Sequence, residues 1–196
     1  MAAILNMLKP MRITSGRLKG RSIAAPEGRD VRPTSDKVRQ AIFNVLEHHD
    51  FGTGFALQGA RVIDLFAGTG ALGLEALSRG ARYALLIDNA HESRAYQRNN
   101  VEAMGLTGIT KIWKRDATDL GKNIGDKFDL AFLDPPYRKG LILPALHALK
   151  EGGWLQPGAL VIAEMASDED ILSTDEFDLL DDRSYGETRI LFLKSR

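Results

Sequence analysis

Short apolar segments alternate with helix-like segments through the middle of this 196-residue sequence, and this alternation limits the possible folds more than any other feature. Strands that are joined by helices run parallel, and the helices cover both faces of the resulting sheet. The sequence therefore predicts an open α/β sheet. The predicted strands are residues 61–66, 83–88, 110–115, 128–133 and 159–165, and the predicted helices are residues 71–80, 90–105 and 139–151.

The C-terminal end departs from this pattern, because residues 177–195 contain two strand-like segments with no helix between them. The segments are joined by residues 184–187, whose sequence SYGE favours a tight turn. We therefore predict a Rossmann-like, mostly parallel seven-stranded sheet with an antiparallel C-terminal edge hairpin and helices on both faces.

The N-terminal part is predicted to be a small extension. Residues 11–26 have two short alternating segments around glycines, which favours a small β-hairpin or two short strands. Residues 33–49 begin with helix-start residues and continue with an apolar stripe, which favours a helix. We expect a tail at 1–10, the extension at 11–52 and an α/β domain at 53–196. The apolar start of the tail is far too short to span a membrane, so we expect a cytoplasmic protein.

Charge is unevenly distributed, although the net charge is zero. Residues 12–39 contain eight Lys and Arg against three acidic residues, whereas residues 168–187 contain nine acidic residues and one Arg. The basic segment favours contact with a phosphate backbone; the alternative is a solvated surface balanced by the acidic stretch. The candidate nucleic-acid-binding residues of the segment are Arg12, Arg17, Lys19, Arg21, Arg32 and Arg39.

Metal and thiol chemistry is not expected. The sequence has no cysteine, and its four histidines show no metal-binding spacing. We therefore expect no disulfide, no cysteine nucleophile and no metal site. The hydrophobic content of 44% and the charged content of 27% are ordinary for a globular protein of this length.

A glycine-rich turn follows the first predicted strand. Residues 68–73 have the spacing Gly-x-Gly-x-x-Gly between a strand and a helix, and Asp88 lies at the end of the next strand. In nucleotide-binding folds such a turn lets the ligand approach the backbone closely, and the acidic residue binds the ribose hydroxyls. The residues predicted to hold a nucleotide-like ligand are Ala67, Gly68, Gly70 and Asp88.

Asp64 favours a cationic ligand over a dinucleotide. It lies at the end of the first strand, next to the place where a dinucleotide would put its pyrophosphate. A carboxylate repels that anion, whereas S-adenosylmethionine carries a sulfonium and an ammonium group and no phosphate.

After the third strand, Asp116 and the Ala117 amide are placed to bind the adenine ring, although Asp116 would also suit a helix cap.

The sequence Asp-Pro-Pro-Tyr directly follows the fourth strand, whose C-terminal end faces the ligand crevice of an open α/β sheet. An exocyclic amino group of a nucleobase is a poor nucleophile, because its lone pair is delocalised into the ring. The Asp134 carboxylate and the Pro135 carbonyl can accept its two N–H bonds, while Tyr137 stacks on the base. We therefore predict methyl transfer to an amino group, with these three residues as the catalytic ones. Arg138 and Lys139 would extend the basic surface.

With these motifs the sequence resembles a class I S-adenosylmethionine-dependent methyltransferase and, within that class, the RsmD family. The resemblance covers nearly the whole chain from Met11, and its distinctive segments are RITSGRLKGRSIAAP, RPTSDKVRQAIFN, DLFAGTGALGLEALSRGA, DPPYRKGL and YGETRILFL. It implies a guanine-N2 methyltransferase of 16S ribosomal RNA, and it leaves open whether the substrate is naked RNA or an assembled small-subunit particle. It implies that the Gly68–Gly70 loop and Asp88 hold the cofactor, and that Asp134 and Tyr137 contact the target base. We expect a monomer with no membrane or metal partner.

Three other interpretations stay open. Methylation of adenine N6 in DNA or RNA would use the same Asp-Pro-Pro-Tyr chemistry, although this sequence has no long insertion for DNA recognition. A nicotinamide-dependent oxidoreductase would share the glycine loop but gives Asp-Pro-Pro-Tyr no role. A non-catalytic RNA-binding module would not need both motifs intact.

One departure from the family is that Asp88, followed by Asn89, stands where glutamate is expected, so either residue would contact the ribose.

Overall fold

A seven-stranded sheet with helices on both faces forms the centre of the molecule. The computed structural model describes residues 11–26, 36–170 and 175–196. The strands are β1 (Arg61–Leu65), β2 (Tyr83–Ile87), β3 (Thr110–Trp113), β4 (Phe128–Leu133), β5 (Leu155–Ala166), β6 (Phe177–Tyr185) and β7 (Thr188–Ser195). The helices are α1 (Asp36–His48), α2 (Ala71–Ser78), α3 (His91–Ala103) and α4 (Ile142–Glu151), with one 3-10 turn at Thr107–Ile109.

The strand order is β3-β2-β1-β4-β5-β7-β6. Strands β1 to β5 are parallel, whereas β7 pairs antiparallel with both β5 and β6. The predicted Rossmann-like, mostly parallel sheet with a C-terminal edge hairpin is therefore confirmed. The direction of strand progression reverses between β1 and β4, and open α/β sheets bind their ligands at such a point.

Most predicted elements lie within three residues of their predicted bounds. The main exception is β5, which begins at Leu155 rather than at residue 159. Leu155 pairs with Phe128, and the pairing shifts register before it resumes at Leu130. Pro157 and Gly158 interrupt the apolar run, so the early start of the strand could not be read from periodicity.

Each face of the sheet packs against its own apolar cluster, because side chains alternate along every strand. On one face, Leu86 and Phe132 lie with apolar residues of α1, α2 and α3. On the other face, Leu133 lies with residues of α4 and with Leu120. In the part of the chain that the structure describes, no helix is both long and apolar enough to cross a membrane.

The predicted N-terminal hairpin is much reduced. Within residues 11–26 the only β-pairing is a single antiparallel bridge between Arg12 and Ser22. The Thr14 amide and hydroxyl instead donate to the Glu75 carboxylate of α2, at 2.8 and 2.7 Å. The extension is thus held by hydrogen bonds to the α/β domain more than by its own strand pairing.

The extension and the α/β domain share one apolar core. Ile13 and Ile23 of the extension, with Ile42 and Phe43 of α1, belong to the same cluster as Phe132 of β4. A segment of this length could not bury a core of its own. The predicted boundary between the two parts stays a prediction. The predicted tail and the first residues of the predicted N-terminal helix lie outside the described residues.

Candidate active site

A crevice of about 580 Å³ opens at the C-terminal ends of β1, β2 and β4, beside the point where the strand order reverses. Small-molecule sites have volumes of roughly 300–1,000 Å³, so the crevice could hold a nucleoside-sized ligand. Most of the predicted cofactor and catalytic residues line it. They are Asp64, Ala67, Gly68, Asp88, Ala117, Asp134, Pro135 and Tyr137.

Glycine is favoured at the two predicted loop positions for different structural reasons. Gly68 has φ 52°, its amide donates to Asp88 at 2.9 Å, and its carbonyl accepts from Gln97 at 3.0 Å. A Cβ at Gly68 would meet no atom nearer than 3.9 Å, so this glycine leaves room in the crevice. Gly70 has φ 83°, and a Cβ there would lie 2.9 Å from Leu86 Cδ1. Gly70 therefore serves the packing of the loop on β2 and does not line the crevice.

Asp88 fixes the shape of the glycine loop. Its Oδ2 accepts from the Gly68 amide, and its Oδ1 accepts from the Ala90 amide at 2.8 Å, just before α3. A carboxylate has about four lone-pair positions, so both oxygens can still accept from a ribose hydroxyl. Asn89 is exposed and also lines the crevice. The predicted ribose contact thus stays open between Asp88 and Asn89.

Asp64 is buried at the end of β1, with only 1% of its surface exposed. Its Oδ2 accepts from the Gly73 amide at 2.9 Å, while its Oδ1 has no hydrogen-bond partner among the described residues. Burial raises the pKa of Asp64 to about 7; the Gly73 hydrogen bond opposes this effect, and the negative charge of Asp88 adds to it. Such a carboxylate at the wall of a crevice favours a ligand that brings a hydrogen-bond donor or a positive charge.

Asp116 has a local role that the sequence also allowed. It is exposed, and its Oδ1 accepts from the Thr118 amide and hydroxyl at 2.8 and 2.7 Å, which lowers its pKa. The carboxylate therefore stabilises a turn, and Asp116 is not among the residues that line the crevice, whereas Ala117 is. The contact of Asp116 with adenine stays a prediction.

Asp134 and Pro135 lie where β4 enters the crevice. The Asp134 amide lies 3.5 Å from Leu65 O of β1, which continues the strand pairing and sets the direction of the chain. Pro135 is buried and Pro136 is exposed. Because two consecutive prolines have fixed φ and no N–H, they end the strand and stiffen the backbone that carries the Asp134 carboxylate and the Pro135 carbonyl.

Tyr137 lies between the crevice and a second, mostly apolar cavity of about 100 Å³. Its hydroxyl donates to Glu164 Oε1 at 2.6 Å and lies 3.0 Å from Thr188 Oγ1. Burial raises the pKa of Tyr137 far above its usual value, and the bond to Glu164 raises it further. The phenol therefore stays protonated, and its hydrogen bonds hold the ring in one orientation.

Backbone strain is concentrated at the same edge of the sheet. Among the described residues other than glycine, only Phe66 and Arg138 have positive φ, and both have φ 59°. Phe66 lines the crevice, and Arg138 directly follows Tyr137. Such conformations cost on the order of 1–3 kcal/mol and are concentrated at functional sites.

Exposed basic residues lie on the extension and directly after Tyr137, whereas the turn at Arg17 is bound to Ser78 at the C-terminal end of α2, away from the glycine loop. Arg12, Arg17, Lys19 and Arg21 are exposed on the extension, whose first described residue, Met11, lines the crevice. After Tyr137, Lys139 is exposed, while Arg138 forms an exposed bidentate ion pair with Asp168 at 3.0 and 2.9 Å. A phosphate would have to compete with Asp168 for Arg138. Arg32 lies outside the described residues.

The prediction that Arg39 contacts nucleic acid is wrong. Its side chain is completely buried, and it donates to Glu75 at 3.3 Å, to Asp36 at 2.7 Å and to the carbonyl of Arg12. Glu75 is itself 0% exposed, and a buried carboxylate needs charged partners, which Arg39 and Arg79 supply. Arg39 therefore joins the extension to α2.

The acidic C-terminal stretch does not balance the basic extension in the described ion pairs. Four of its aspartates pair with arginines that all lie after residue 137. Pairing between the basic extension and the acidic stretch is therefore not supported by the ion pairs of the described residues, while the interpretation that the extension's cations only solvate its surface stays open. The pairs are Asp168–Arg138, Asp178–Arg196, Asp181–Arg183 and Asp182–Arg189.

One group of potential metal ligands occurs in the described ranges. The ligand atoms of His147, Glu151 and Glu176 lie within 4.8 Å of one another, and His147 Nδ1 is 3.6 Å from Glu176 Oε2. His147 and Glu151 are exposed, and none of the three lines the crevice. The expectation that the protein binds no metal stays a prediction.

Two important polar side chains were not predicted from the sequence. Glu164 lines the crevice and binds Tyr137; its only signal was an acidic residue inside an apolar strand. Asn100 of α3 had no signal. Its Nδ2 donates to Thr69 O at 3.1 Å and to Ala24 O at 3.0 Å, and its Oδ1 accepts from the Ala24 amide at 2.8 Å. Asn100 thus links the glycine loop to the extension.

Comparison with known proteins assigns the chain to a family. The family described as Conserved hypothetical protein 95 matches residues 11–194. Ribosomal RNA small subunit methyltransferase D of Escherichia coli strain K12 is 34% identical over 156 residues, which cover 79% of this chain and 74% of that protein. The Haemophilus influenzae protein of the same name is 28% identical over 179 residues, covering 90% and 89%.

Solved structures show the same fold. The Escherichia coli protein yhhF matches with a TM-score of 0.80 at 28% identity, covering 96% of this chain and 99% of that one. A conserved protein of Streptococcus pyogenes matches with a TM-score of 0.69 at 28% identity, covering 81% and 96%. With this fold, the Asp-Pro-Pro-Tyr crevice and a match over nearly its whole length, the chain belongs to the RsmD family of ribosomal RNA methyltransferases.

Proposed function

We propose that the protein transfers a methyl group from S-adenosylmethionine to the exocyclic N2 amino group of a guanine in 16S ribosomal RNA. The observation that carries this proposal is that Asp134 and Pro135 enter the same crevice that the glycine loop borders. The names of the Escherichia coli and Haemophilus influenzae relatives support the small ribosomal subunit as the source of the substrate. The resemblance to the RsmD family supports guanine N2 as the target atom.

The charges of the crevice suit S-adenosylmethionine better than a dinucleotide. Among the described residues that line it, four are acidic and only Arg115 is basic. An excess of negative charge attracts the sulfonium and ammonium groups and repels a pyrophosphate. The unpaired Oδ1 of Asp64 is an acceptor for the ammonium group. When bound, this cofactor supplies an electrophilic methyl group on a positively charged sulfur.

Other residues of the crevice would hold the nucleoside part of the cofactor. Asp88 or Asn89 would accept from the ribose hydroxyls, and the Ala117 amide would donate to the adenine ring. Gly68 keeps the loop side of the crevice open, since a Cβ at this position would have no neighbouring atom nearer than Phe66 O at 3.9 Å. Asp116 would bind the adenine amino group from the rim.

The Asp-Pro-Pro-Tyr residues would prepare the target amino group. The Asp134 carboxylate and the Pro135 carbonyl accept the two N–H bonds, which leaves the nitrogen lone pair directed away from them. Because the prolines fix the backbone, both acceptors are in place before the base arrives, and this reduces the entropic part of the barrier. The Asp134 carboxylate also stands beside the proton that the methylated amino group must lose. Tyr137 stacks on the base, a contact worth about 1–3 kcal/mol.

The exposed basic residues of the extension would hold the RNA backbone. Arg12, Arg17, Lys19 and Arg21 are exposed, and the extension reaches the crevice through Met11. Lys139 would extend the same surface on the other side of Tyr137. Contacts of this kind position a nucleic acid without reading its sequence. They also make binding weaker as the salt concentration rises.

The test is methyl transfer to ribosomal subunits from a strain that lacks the enzyme. The protein is incubated with S-adenosylmethionine labelled in its methyl group and with small subunits; large subunits are the matched control. We expect label at one guanine of the 16S RNA and none in the large subunit. Label on adenine would support the adenine-N6 alternative. Tight NAD binding by calorimetry, with no binding of S-adenosylmethionine, would overturn the cofactor assignment.

A further inference from the structure

Glu164 is a buried acidic side chain that the proposed reaction does not use. It lies on β5 with only 5% of its surface exposed, and it lines both the crevice and the small cavity behind Tyr137. Burial of a carboxylate is unfavourable unless polar partners compensate, so a structural role alone would be served by an uncharged side chain. Glu164 lies in the wall that the two cavities share, so its carboxylate is beside the position of a base stacked on Tyr137.

Asp134, the first residue after β4, lies at the level of Glu164 on the neighbouring strand β5. In the parallel pair β4 and β5, Leu133 is opposite Ala163, so Asp134 and Glu164 are the next residues along each chain. Both residues line the crevice, so the two carboxylates lie at the same edge of the sheet. Adjacent strands lie about 4.8 Å apart, which places two acceptors side by side at the crevice.

Two neighbouring acceptors match the hydrogen-bonding edge of guanine. Guanine presents its N2 amino group next to N1–H, and both groups are donors. Adenine presents its amino group next to N1, which is an acceptor. An ionised carboxylate can only accept, so a carboxylate opposite N1 binds guanine and opposes adenine. Sites that hydrogen-bond one substrate group discriminate strongly against analogues that cannot form the bond.

We propose that Glu164 selects guanine by accepting the hydrogen bond from N1–H, while Asp134 and Pro135 accept those from the N2 amino group. This inference rests on the proposed function, because it names the residue that chooses the base. The bond from Tyr137 does not prevent it, since a carboxylate has about four lone-pair positions. The same bond, at 2.6 Å, fixes the Glu164 carboxylate relative to the ring on which the base stacks.

The experiment compares guanine with 2-aminopurine at the mapped target position of reconstituted small-subunit particles. 2-Aminopurine keeps the 2-amino group but has a lone pair at N1. The kcat/KM ratio of guanine to 2-aminopurine is measured for wild type, Glu164→Gln and Tyr137→Phe. The 2-amino groups of guanine and 2-aminopurine differ in intrinsic reactivity. This difference is the same for all three proteins, so it cancels when their ratios are compared. Tyr137→Phe is the matched control, because it removes the Tyr137–Glu164 bond and keeps the carboxylate.

We expect Glu164→Gln to lower this ratio by about 10- to 100-fold, because a glutamine amide can donate to the N1 lone pair and the charge-assisted bond to guanine is lost. Tyr137→Phe removes the bond that positions Glu164 but keeps the carboxylate, so both rates should fall while the ratio falls much less than in Glu164→Gln. Glu164→Asp, which withdraws the same charge by one methylene group, is the second variant and should also lower the ratio. Melting temperature and S-adenosylmethionine affinity establish that each variant is folded.

Equal ratios in wild type, Glu164→Gln and Glu164→Asp would overturn the inference and leave Glu164 with the single role of holding Tyr137. A wild-type enzyme that produces N2-methylguanosine would still support the proposed function in that case. Failure of the proposed function gives a different result: the native particle then yields no N2-methylguanosine with any of the proteins, and the inference falls with it.

Discussion

The two sides of the crevice are built in different ways. On the glycine-loop side, Asp64, Asp88 and Asn100 use their side chains to hold amides and carbonyls of the loop. On the Asp-Pro-Pro-Tyr side, two prolines stiffen the backbone, and Asp134 is only half-buried. Substitutions on the glycine-loop side should therefore change stability and cofactor affinity together. Substitutions on the Asp-Pro-Pro-Tyr side should change the rate of methyl transfer with little effect on either.

The extension is attached by hydrogen bonds to the glycine-loop side of the crevice. Glu75 of α2 binds the backbone and hydroxyl of Thr14, and Asn100 of α3 binds Ala24 and Thr69. Both side chains are buried, Glu75 at 0% and Asn100 at 2% exposure. The inner face of the extension is therefore structural, while its outer face presents the exposed cations. Substitutions on the inner face should therefore lower stability, whereas substitutions on the outer face should weaken RNA binding.

Asp134→Ala should produce the largest effect. Loss of one preorganised acceptor at the amino group should lower kcat on the order of 10²-fold or more. Calorimetry with S-adenosylmethionine should give near-normal affinity, and the melting temperature should change little. Asp119→Ala, which removes an exposed carboxylate after β3, is the matched control. A loss of cofactor affinity as large as the loss of rate would break the distinction between the two sides.

Asn100→Ala should act through folding. It leaves the Ala24 amide and the carbonyls of Ala24 and Thr69 without their partner, so the free energy of unfolding should fall by about 2 kcal/mol, or roughly 30-fold in the equilibrium constant. Urea denaturation measures this change, and cofactor affinity should fall with it. Asn99 is exposed on the same helix, and Asn99→Ala should change neither quantity. Equal stability of the two variants would show that Asn100 does not join the extension to the loop.

Reversal of Arg17, Lys19 and Arg21 to Glu should act through RNA binding alone. These side chains are exposed, so stability and S-adenosylmethionine affinity should be unchanged. We expect the KM for small subunits to rise about tenfold and its dependence on salt to become weaker, because phosphate contacts are lost. Reversal of the exposed Lys114, Lys122 and Lys127 is the matched control. If both triple variants have the same KM and salt dependence, the extension does not hold the RNA.

The pH dependence of cofactor binding should give the smallest effect. The pKa of Asp64 lies at about 7 in the folded protein, above its usual value of 3.8. Between these values the folded state holds a proton that the unfolded chain has lost, so stability without cofactor falls as pH rises from about 4 to 7. Cofactor affinity changes in the opposite direction, because the ammonium group needs the ionised carboxylate.

Calorimetry with S-adenosylmethionine should therefore show affinity rising about threefold between pH 6.5 and 7.5, in proportion to the ionised fraction of Asp64. Asp64→Asn should bind more weakly and lose this dependence. An unchanged pH profile in Asp64→Asn would mean that another group controls the ammonium contact.

What could be predicted from the sequence depends on how far apart in the chain the interacting residues lie. Gly68, Asp88 and Asp134 follow strands at fixed spacing, and strand ends meet at one edge of a parallel sheet, so their place in the crevice could be predicted. Arg39 and Glu75 were different: the charge pattern of the extension gave no sign that two ionised side chains 36 residues apart would be buried against each other. Such pairs depend on how the extension docks, and periodicity carries no information on that.

The central claim is that this crevice methylates the N2 amino group of guanine, and the most direct test is the identity of the modified nucleoside. Small subunits from a strain lacking the enzyme are treated with S-adenosylmethionine and either wild type or Asp134→Ala. The RNA is then digested to nucleosides and examined by mass spectrometry. N2-methylguanosine from the wild-type reaction, reduced at least 10²-fold with Asp134→Ala, is the predicted result. N6-methyladenosine, or equal N2-methylguanosine from both proteins, would contradict it.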